Sequence, residues 1–424
     1  MDTIKKINIT YDVLLHYNIM CFWNKDNNRL YHERQGIIMR MTGTLARGIR
    51  TPMINRGDDL AQIVVDCVLA AAKEENFTLN DKDVVGVTEA VVARAQNNYA
   101  TSDQIAEDIR AKFPSGVVGA VFPIFSRNRF GNHLSGIVKG CDKLYLMLSY
   151  PSDEVGNSLF DDELLSLSDV NPYSDVLDEK TYRKKFGYDN KHIFTGIDYV
   201  EFYKSFGENI EIIFANDVRS ILDYTKNVLC CDIHTRFTSK RLLLEAGAEI
   251  VYGLDDVLSK PVNGSGYNEK YGLLGANSNP GDTLKLFPRD CDKLIDEISA
   301  KLKKATGKQI EVMVYGDGAF KDPVGKIWEL ADPVVSPAFT AGLEGTPNEL
   351  KLKFLLDDKL AGVPKSEQYE AVVEAIKTKS GGSLGTTPRR YTDLLGSLCD
   401  LISGSGDKGT PVVLIQGYFD NYAS

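Results

Sequence analysis

The sequence predicts an α/β fold of mixed α+β type, and three observations support this prediction. Short apolar runs typical of buried strands alternate with segments that have the period of an amphipathic helix. Residues 113–266 repeat this alternation several times. Two loops with glycines and acidic residues are joined to apolar strands: 316–322 follows one strand, and 403–411 leads into another.

The composition is ordinary for a soluble globular protein, with 424 residues of which 43% are hydrophobic and 25% are charged. A formal net charge of −10 argues against a nucleic-acid-binding surface, which needs a basic face. The N-terminal sequence MDTIKKINITYDV has no apolar signal segment. No apolar run approaches the about 18 residues that a membrane-spanning helix needs. We therefore expect a cytoplasmic protein without a nucleic-acid or membrane partner.

The chain is long enough for several domains, and changes in patterning predict four regions. These are an N-terminal extension, an N-terminal lobe, a middle α/β section and a C-terminal lobe that carries both glycine-and-acid loops. Their predicted limits are 1–40, 41–112, 113–266 and 267–424.

The N-terminal lobe begins with a clear helix signal. Asp58 or Asp59 is placed to cap a helix that continues to about residue 75. A buried strand is predicted over 84–88, and a second helix begins at Glu89. Residues 1–40, by contrast, show no clear period.

The middle section reads as alternating short strands and helices. Its most polar stretch, 153–189, is expected to be an exposed loop. The predicted strands cover 117–123, 143–149 and 211–215, and the predicted helices cover 217–227 and 238–246.

The C-terminal lobe is the best patterned region. Asp290 is predicted to cap a helix that Gly307 ends, and a strand over 310–315 follows. Further helices are predicted over 366–379 and 390–402.

Asp317 follows the strand 310–315 at the position where α/β proteins place ligands, just beyond the carboxyl end of a strand. Gly316 and Gly318 flank it, and Asp322 lies in the same loop. Glycines let a ligand approach the backbone closely. The pattern therefore suits a metal or phosphate site here. The alternative is a turn whose aspartate only accepts local N–H bonds.

The loop 403–411 contains three glycines together with Ser403, Ser405, Asp407, Lys408 and Thr410. It lacks the GK[ST] order of a P-loop, so a P-loop ATPase is not supported. Backbone N–H groups, hydroxyls and a lysine nevertheless suit a phosphate cradle. The alternative is a solvated connection between two elements.

Three other features carry weaker signals. The amide-rich run 277–282 suits either a ligand contact or an Asx-type turn. Arg127 and Arg129 suit either an anion site or a basic surface turn. The seven cysteines form no CxxC pair and the five histidines have no ligand spacing, so neither a disulfide framework nor a zinc site is expected.

Taken in order, several segments resemble the coenzyme F-420-0:L-glutamate ligase family, the gamma-glutamyl ligases of the deazaflavin coenzyme. The segment GIRTPMINRGDDL is similar to the family's opening motif, and LNDKDVV with TEAVVARAQ is similar to its second motif. The later matches are NPGD (279–282), TGK (306–308), GDG (316–318), DLISG (400–404) and GTPVV (409–413). They cover about 42–100 and 270–418, so the resemblance makes the middle section an α/β insertion between ligase-like lobes.

The resemblance implies a homodimer that uses GTP, or ATP, with magnesium or manganese. It also implies formation of a gamma-glutamyl amide from L-glutamate and a small-molecule carboxylate acceptor. The acceptor is F-420-0-like or folate-like, and the residues do not separate the two. A catalytically degenerate protein that binds a nucleotide or a glutamylated ligand is the alternative.

Site roles follow from the resemblance residue by residue. Asp317, Lys408 and Arg94 are the predicted catalytic residues, with Arg94 replacing the family's nucleotide-binding lysine. The predicted metal ligands are Asp317, Asp322 and Asp407. The predicted nucleotide contacts are Glu89, Asn279, Ser403, Gly404, Ser405, Gly406, Asp407 and Thr410.

The chain departs from the family pattern at three places. The family's first metal aspartate falls on Ala276, or on Asn277 if the gap shifts. Gly318 replaces a threonine, and Ser405 replaces a metal-ligating acid or amide. The number of metals is therefore open unless Asp282, Asp322 or Asp407 supplies replacements.

Overall fold

The computed structural model describes residues 20–24, 29–34, 37–40, 42–127, 129–192, 195–317, 333–347, 350–378, 389–403 and 408–421. Helices and strands alternate along most of this length, which confirms the α/β fold prediction. The limits of the four predicted regions stay a prediction.

The strands of the described part are short. They are β1 (Met20–Asn24), β2 (Arg29–Arg34), β3 (Ile37–Arg40), β4 (Leu45–Ile49), β5 (Val84–Thr88), β6 (Tyr99–Thr101), β7 (Val117–Val121), β8 (Lys143–Leu148), β9 (Leu177–Asp178), β10 (Ile210–Phe214), β11 (Asn227–Cys230), β12 (Ile250–Gly253), β13 (Asn277–Asn279), β14 (Thr283–Lys285), β15 (Glu311–Tyr315), β16 (Ala338–Phe339) and β17 (Val412–Gln416).

The described helices vary more in length. They are α1 (Leu60–Glu74), α2 (Glu89–Ala95), α3 (Ser102–Lys112), α4 (Phe130–Lys139), α5 (Asp162–Ser166), α6 (Glu179–Phe186), α7 (Tyr199–Lys204), α8 (Arg236–Glu245), α9 (Cys291–Thr306), α10 (Leu352–Phe354), α11 (Lys365–Thr378) and α12 (Tyr391–Ser403). Short 3-10 turns cover Val218–Asp223 and Ala341–Leu343, and a π-helical turn covers Leu355–Lys359.

The five-stranded sheet has the strand order β16-β15-β5-β17-β4 and joins the two ends of the described chain. Strands β5 and β15 are parallel, with Thr88 opposite Tyr315. Strand β17 runs antiparallel to β5 and to β4, so that Val412 lies beside both Val87 and Ile49. The carboxyl ends of β4, β5 and β15 and the start of β17 therefore meet at one edge of this sheet.

Both faces of the five-stranded sheet are covered by helices. On one face the apolar sides of α1 and α9 pack against Val85, Val87 and Val312. On the other face Leu395 and Cys399 of α12 pack against Met313 and Val413. The strands are buried on both sides, which explains why they read in the sequence as continuous apolar runs.

The helix signals in this part of the chain are mostly confirmed. Asp59 accepts a hydrogen bond from the Gln62 backbone at 3.0 Å and caps α1 as predicted. Gly307 ends α9 in the left-handed conformation, with φ at 71°. The predicted cap at Asp290 is wrong, because its side chain makes no capping bond and instead pairs with Lys293 at 2.6 Å.

The six-stranded sheet has the order β12-β11-β7-β8-β10-β9. Its strands are parallel except β9, which pairs antiparallel with β10 at the edge. From β7 the chain first builds β8 and β10 on one side, and then β11 and β12 on the other. This is the order of a doubly wound sheet, with its switch point between β7 and β11.

Two sequence predictions about secondary structure are wrong. The stretch 153–189 is not simply an exposed loop, because it contains α5, β9 and α6 and buries Tyr182 and Phe186 against the six-stranded sheet. The helix predicted over 217–227 is only the 3-10 turn Val218–Asp223, followed by β11. Strands β1, β2 and β3, which lie in a region of the sequence without a clear period, form an antiparallel sheet.

The strands of a small antiparallel sheet, β13-β14-β6, lie in the sequence between strands of the two large sheets. Its central strand places Lys285 opposite both Asn277 and Tyr99. Leu284, Leu286 and Phe287 pack into the same apolar core as the six-stranded sheet. Within the described ranges, no helix is both long and apolar enough to cross a membrane.

Candidate active site

The edge where β4, β5, β15 and β17 meet collects most of the predicted site residues that the structure describes. Glu89 follows β5 directly, and Asp317 lies two residues after β15. The backbone N–H of Thr88 donates to the Pro411 carbonyl at 2.9 Å, so the end of the loop 403–411 lies beside Glu89. Residues that are distant in sequence thus share one end of one sheet.

Asp317 is half exposed at this edge and pairs with Arg129. Arg129 belongs to the middle of the chain, just before α4, and its side chain is mostly buried. The sequence left Arg127 and Arg129 as alternatives for an anion site. Of these two arginines, Arg129 is the one that contacts Asp317, whereas Arg127 is exposed.

Glu89 forms a buried ion pair with Lys285. The Lys285 Nζ lies 2.6 Å from Glu89 Oε1, and the two side chains are 12% and 8% exposed. Burying a charge is costly unless a partner of opposite sign is in contact. Lys285 therefore holds the Glu89 carboxylate at the end of β5, beside the strand that delivers Asp317.

Asn279 lies in the hairpin β13-β14, where its Nδ2 donates to Thr283 Oγ1 at 2.9 Å. Asn277, two residues earlier on the same strand, is directly opposite Lys285 and is therefore closer than Asn279 to the Glu89–Lys285 ion pair. Side chains two apart on a strand share one face, about 7 Å from each other. Of the two positions left open for the family's first metal ligand, Ala276 is buried with no donor side chain, and Asn277 is near Glu89.

Arg94 is on α2, the same short helix that begins at Glu89. Its Nε donates to the Ile54 carbonyl at 2.6 Å, and the Gly57 N–H donates to Ala95 O at 2.8 Å. These bonds tie the RGDD turn after β4 to α2. The remaining guanidinium nitrogens of Arg94 are on an exposed residue, as an interaction with phosphate requires.

The described ends of the loop 403–411 are held together. Thr410 Oγ1 donates to the Ser403 carbonyl at 3.0 Å, and the Thr51 N–H donates to Gly409 O at 3.2 Å. Ser403 is buried at the end of α12, whereas Lys408 is exposed. Gly404, Ser405, Gly406 and Asp407 lie outside the described residues, and so does Asp322.

Tyr315, the last residue of β15, is buried beneath this edge against α12. Burial raises the pKa of its hydroxyl above the ordinary value, so the group stays neutral and serves packing rather than acid–base chemistry.

Asp282 is engaged elsewhere. Its carboxylate pairs with Lys139 at 3.0 Å and accepts from Ser102, at the carboxyl end of α4. Arg129, which contacts Asp317, is at the other end of this ten-residue helix, about 15 Å away. Asp282 is thus not placed to complete a metal site with Asp317. Among the residues that the structure describes, no three acids, histidines or cysteines cluster as metal ligands.

Lys285 is the residue that the sequence interpretation missed. A signal was available, since Lys285 interrupts the apolar run Thr283, Leu284, Leu286, Phe287 at an alternate position. In a strand such a lysine faces away from the core side. What the run does not show is that Glu89, 196 residues earlier, is its partner.

The geometry defines a class of protein: a mixed α/β protein whose strand ends hold carboxylates and cations together at one exposed sheet edge. A sequence model of the F420-0:gamma-glutamyl ligase family matches residues 48–417. The chain therefore belongs to this family of ligases, which confirms the resemblance drawn from the motifs. No curated protein matches the chain.

Proposed function

We propose that the chain is a nucleotide-dependent gamma-glutamyl ligase whose site is the edge of the five-stranded sheet. Membership of the family supports gamma-glutamyl ligase activity in general terms. The observation that carries the finer proposal is the convergence of Asp317, Glu89 and Thr410 at that edge, from three strands that are adjacent in the sheet.

The nucleotide enters as GTP or ATP with magnesium or manganese. Mg²⁺ keeps several waters and binds through one or two carboxylates plus the substrate's phosphates, rather than in an all-protein cage. The described donors fit that requirement, because Asp317 offers a half-exposed carboxylate and Glu89 directly follows the neighbouring strand β5. The metal's contribution is charge neutralisation on the transferring phosphoryl group.

The protein side chains then position the reactants. Arg94 on α2 and Lys408 on the loop before β17 are exposed cations and face the phosphates. An oxygen of the acceptor carboxylate attacks the γ-phosphorus, and the bond to the nucleoside diphosphate breaks to leave an acyl phosphate. The amine of L-glutamate then attacks the carbonyl carbon, phosphate leaves, and the amine proton passes to solvent. Holding the reactants in place contributes about 7–11 kcal/mol in well-oriented systems.

A second candidate function is a catalytically degenerate protein that binds a nucleotide or a glutamylated ligand. Two observations favour it: Ala276 stands where the family has a metal aspartate, and the described residues hold no three-ligand cluster. The carboxylate of Glu89, held by Lys285, and the cation at Arg94 favour the ligase.

The test is a product assay on the full chain. GTP and ATP are supplied in turn with magnesium or manganese, L-glutamate, and either F-420-0 or a folate as acceptor. The ligase proposal predicts phosphate release that requires both glutamate and one acceptor, and an acceptor product heavier by one glutamyl residue in mass spectrometry.

Omitting glutamate or the acceptor is the internal control, since each omission should stop product formation. Nucleotide binding by calorimetry without phosphate release, under every combination, would establish the degenerate protein instead.

A further inference from the structure

The switch point of the six-stranded sheet opens onto a small cavity. Ligands of doubly wound sheets bind outside the carboxyl ends of the strands at the point where the strand order reverses. In this chain that point lies between β7 and β11. The cavity is lined from exactly these loops: Ile124 and Arg129 follow β7, Cys231 and Ile233 follow β11, and Leu254 follows β12.

The cavity is largely apolar but contains three polar side chains, from Arg129, His133 and Cys231. Its volume is about 20 Å³, which is room for one water-sized group. Arg129 supplies a guanidinium fork and Cys231 a weak S–H donor. The polar lining is therefore rich in donors, which suits an acceptor-rich anionic group rather than a cation.

His133 is the most informative of these side chains. It is 4% exposed, and neither ring nitrogen has a hydrogen-bond partner among the residues that the structure describes. Burial, and then the charge of Arg129, lower the pKa of His133 to about 4. The nearby Ala276 backbone opposes this shift without reaching hydrogen-bond geometry. A buried imidazole whose ring nitrogens have no hydrogen-bond partner costs free energy unless another group forms those hydrogen bonds.

Arg129 connects this cavity to the proposed ligase site. It lines the cavity and also pairs with Asp317 at the edge of the five-stranded sheet. The cavity is thus one arginine side chain away from the acid proposed to hold the metal. An anion placed there shares Arg129 with that acid.

We propose that this cavity receives one oxygen of the acceptor's reacting carboxylate, with Arg129 as its ion-pair partner and His133 donating a hydrogen bond. The inference rests on the proposed ligase function and deepens it, because it assigns acceptor binding to the middle part of the chain. The rest of the acceptor lies outside the cavity, which has room for one water-sized group only. When a metal ion binds Asp317 in place of Arg129, the Arg129 guanidinium pairs with this carboxylate instead.

The test measures binding of F-420-0 and of folic acid to the full chain by calorimetry. One of the two probes is expected to bind. Arg129→Gln should weaken that binding by about tenfold to a hundredfold, the loss expected for a charge-assisted pair. Cys231→Val, which fills the cavity, should weaken it as well.

Two matched controls are available in the same segments. Arg127→Gln removes the same charge from an exposed position two residues away. Cys230→Val changes the neighbouring cysteine, which packs into the core on the opposite face of the sheet. Both controls should leave acceptor binding within about twofold of the unchanged protein, a difference below about 0.5 kcal/mol.

A spectroscopic measurement covers the case in which a variant does not fold. The chain has five histidines, so the ring ¹⁵N resonances of histidine-labelled protein are few, and His133→Gln identifies one set. Acceptor binding should shift the His133 resonances. Unshifted resonances at saturation, binding of neither probe, or equal effects of Arg129→Gln and Arg127→Gln would each overturn the proposal.

Magnesium–GTP and magnesium–ATP are titrated in turn into the same samples. If the unchanged protein binds the acceptor but no nucleotide, the proposed function alone is overturned. If it binds nucleotide and neither Arg129→Gln nor Cys231→Val weakens acceptor binding, the acceptor site alone is overturned.

Discussion

Asp317 is the residue on which the proposed site depends. Its partner Arg129 is 188 residues earlier in the chain, so the contact joins the middle of the chain to the ligase-like lobe. The motif at the end of β15 predicted the aspartate, because strand-end acids beside glycines are readable from sequence. The arginine was one of two alternatives, and only the fold distinguishes them.

Asp317→Asn is predicted to abolish nucleotide turnover and leave the fold intact. The amide keeps the shape and can still accept from Arg129, but it lacks the charge that a metal–phosphate complex needs. Phosphate release and the melting temperature are the measurements. Asp103→Asn is the control, because Asp103 pairs with Lys139 at the opposite end of α4. Near-normal turnover in Asp317→Asn would refute the assignment.

Lys285→Met is predicted to lower the free energy of unfolding by about 3 kcal/mol, because it leaves the Glu89 carboxylate buried without its cation. Glu89→Gln in the same chain should recover most of this loss. Denaturant unfolding gives both values. Lys293→Met, which removes an 83% exposed lysine from its pair with Asp290, should change little. Equal losses in the two lysine variants would contradict a buried ion pair.

Asp232 is predicted to make stability depend on pH. Burial raises its pKa from 3.8 to about 6, and the charge of Glu154 adds to the shift. The native state therefore holds this proton more tightly than the unfolded state, and stability falls as pH rises from 3.8 to about 6. Asp232→Asn should gain stability relative to the unchanged protein across that window and keep the gain above it.

Asp217→Asn is predicted to change the pH dependence of stability in the opposite direction. The Arg219 guanidinium lowers the pKa of Asp217, so its carboxylate stabilises the native state above its unfolded pKa, and that stability is lost as pH falls. Its substitution should therefore cost stability at neutral pH and less in acid. Parallel pH profiles for the two variants would contradict the burial of Asp232.

At the scale of the elements, periodicity and caps predicted those whose signal is local. The Asp59 cap of α1 and the Gly307 end of α9 are examples, since each depends on residues within one helical turn. The turn Val218–Asp223 was predicted as a longer helix because the apolar spacing continues past Asp223. The residues that follow form β11, because they pair with β7 and β12. No local sequence pattern indicates this pairing.

Gly86 shows how closely α12 approaches the five-stranded sheet. A Cβ at this position would lie 2.5 Å from Cys399 Sγ and 3.2 Å from the Tyr315 ring. Gly86→Ala is therefore predicted to cost about 1–3 kcal/mol of unfolding free energy, as overpacked cores do. Gly43→Ala is the control, because nothing lies within 4 Å of its added Cβ.

A second variant, Cys399→Ala, tests whether the contact with Cys399 causes the predicted loss of unfolding free energy. Cys399→Ala removes the Sγ atom, so Gly86→Ala should cost less in that background, and the two changes should not be additive. Additive costs would mean that the glycine is needed for its backbone rather than for the approach of α12, which ends at the loop 403–411.

At the scale of the whole molecule, the order of the motifs predicted the family, and the match over 48–417 confirms it. The sequence does not show that β4 and β17 pair across the chain, with Gly48 opposite Val413. Nor does it show that the middle sheet turns its switch point toward Asp317. Both facts depend on long-range packing, and both decide where the site lies.

The most direct test is a crystal structure with manganese and a non-hydrolysable GTP analogue, using the anomalous signal of the metal. The account predicts a manganese peak about 2.1 Å from an Asp317 carboxylate oxygen, with the triphosphate between β15 and the loop 403–411. A nucleotide bound elsewhere, such as at the switch point of the six-stranded sheet, with no metal at Asp317, would contradict it.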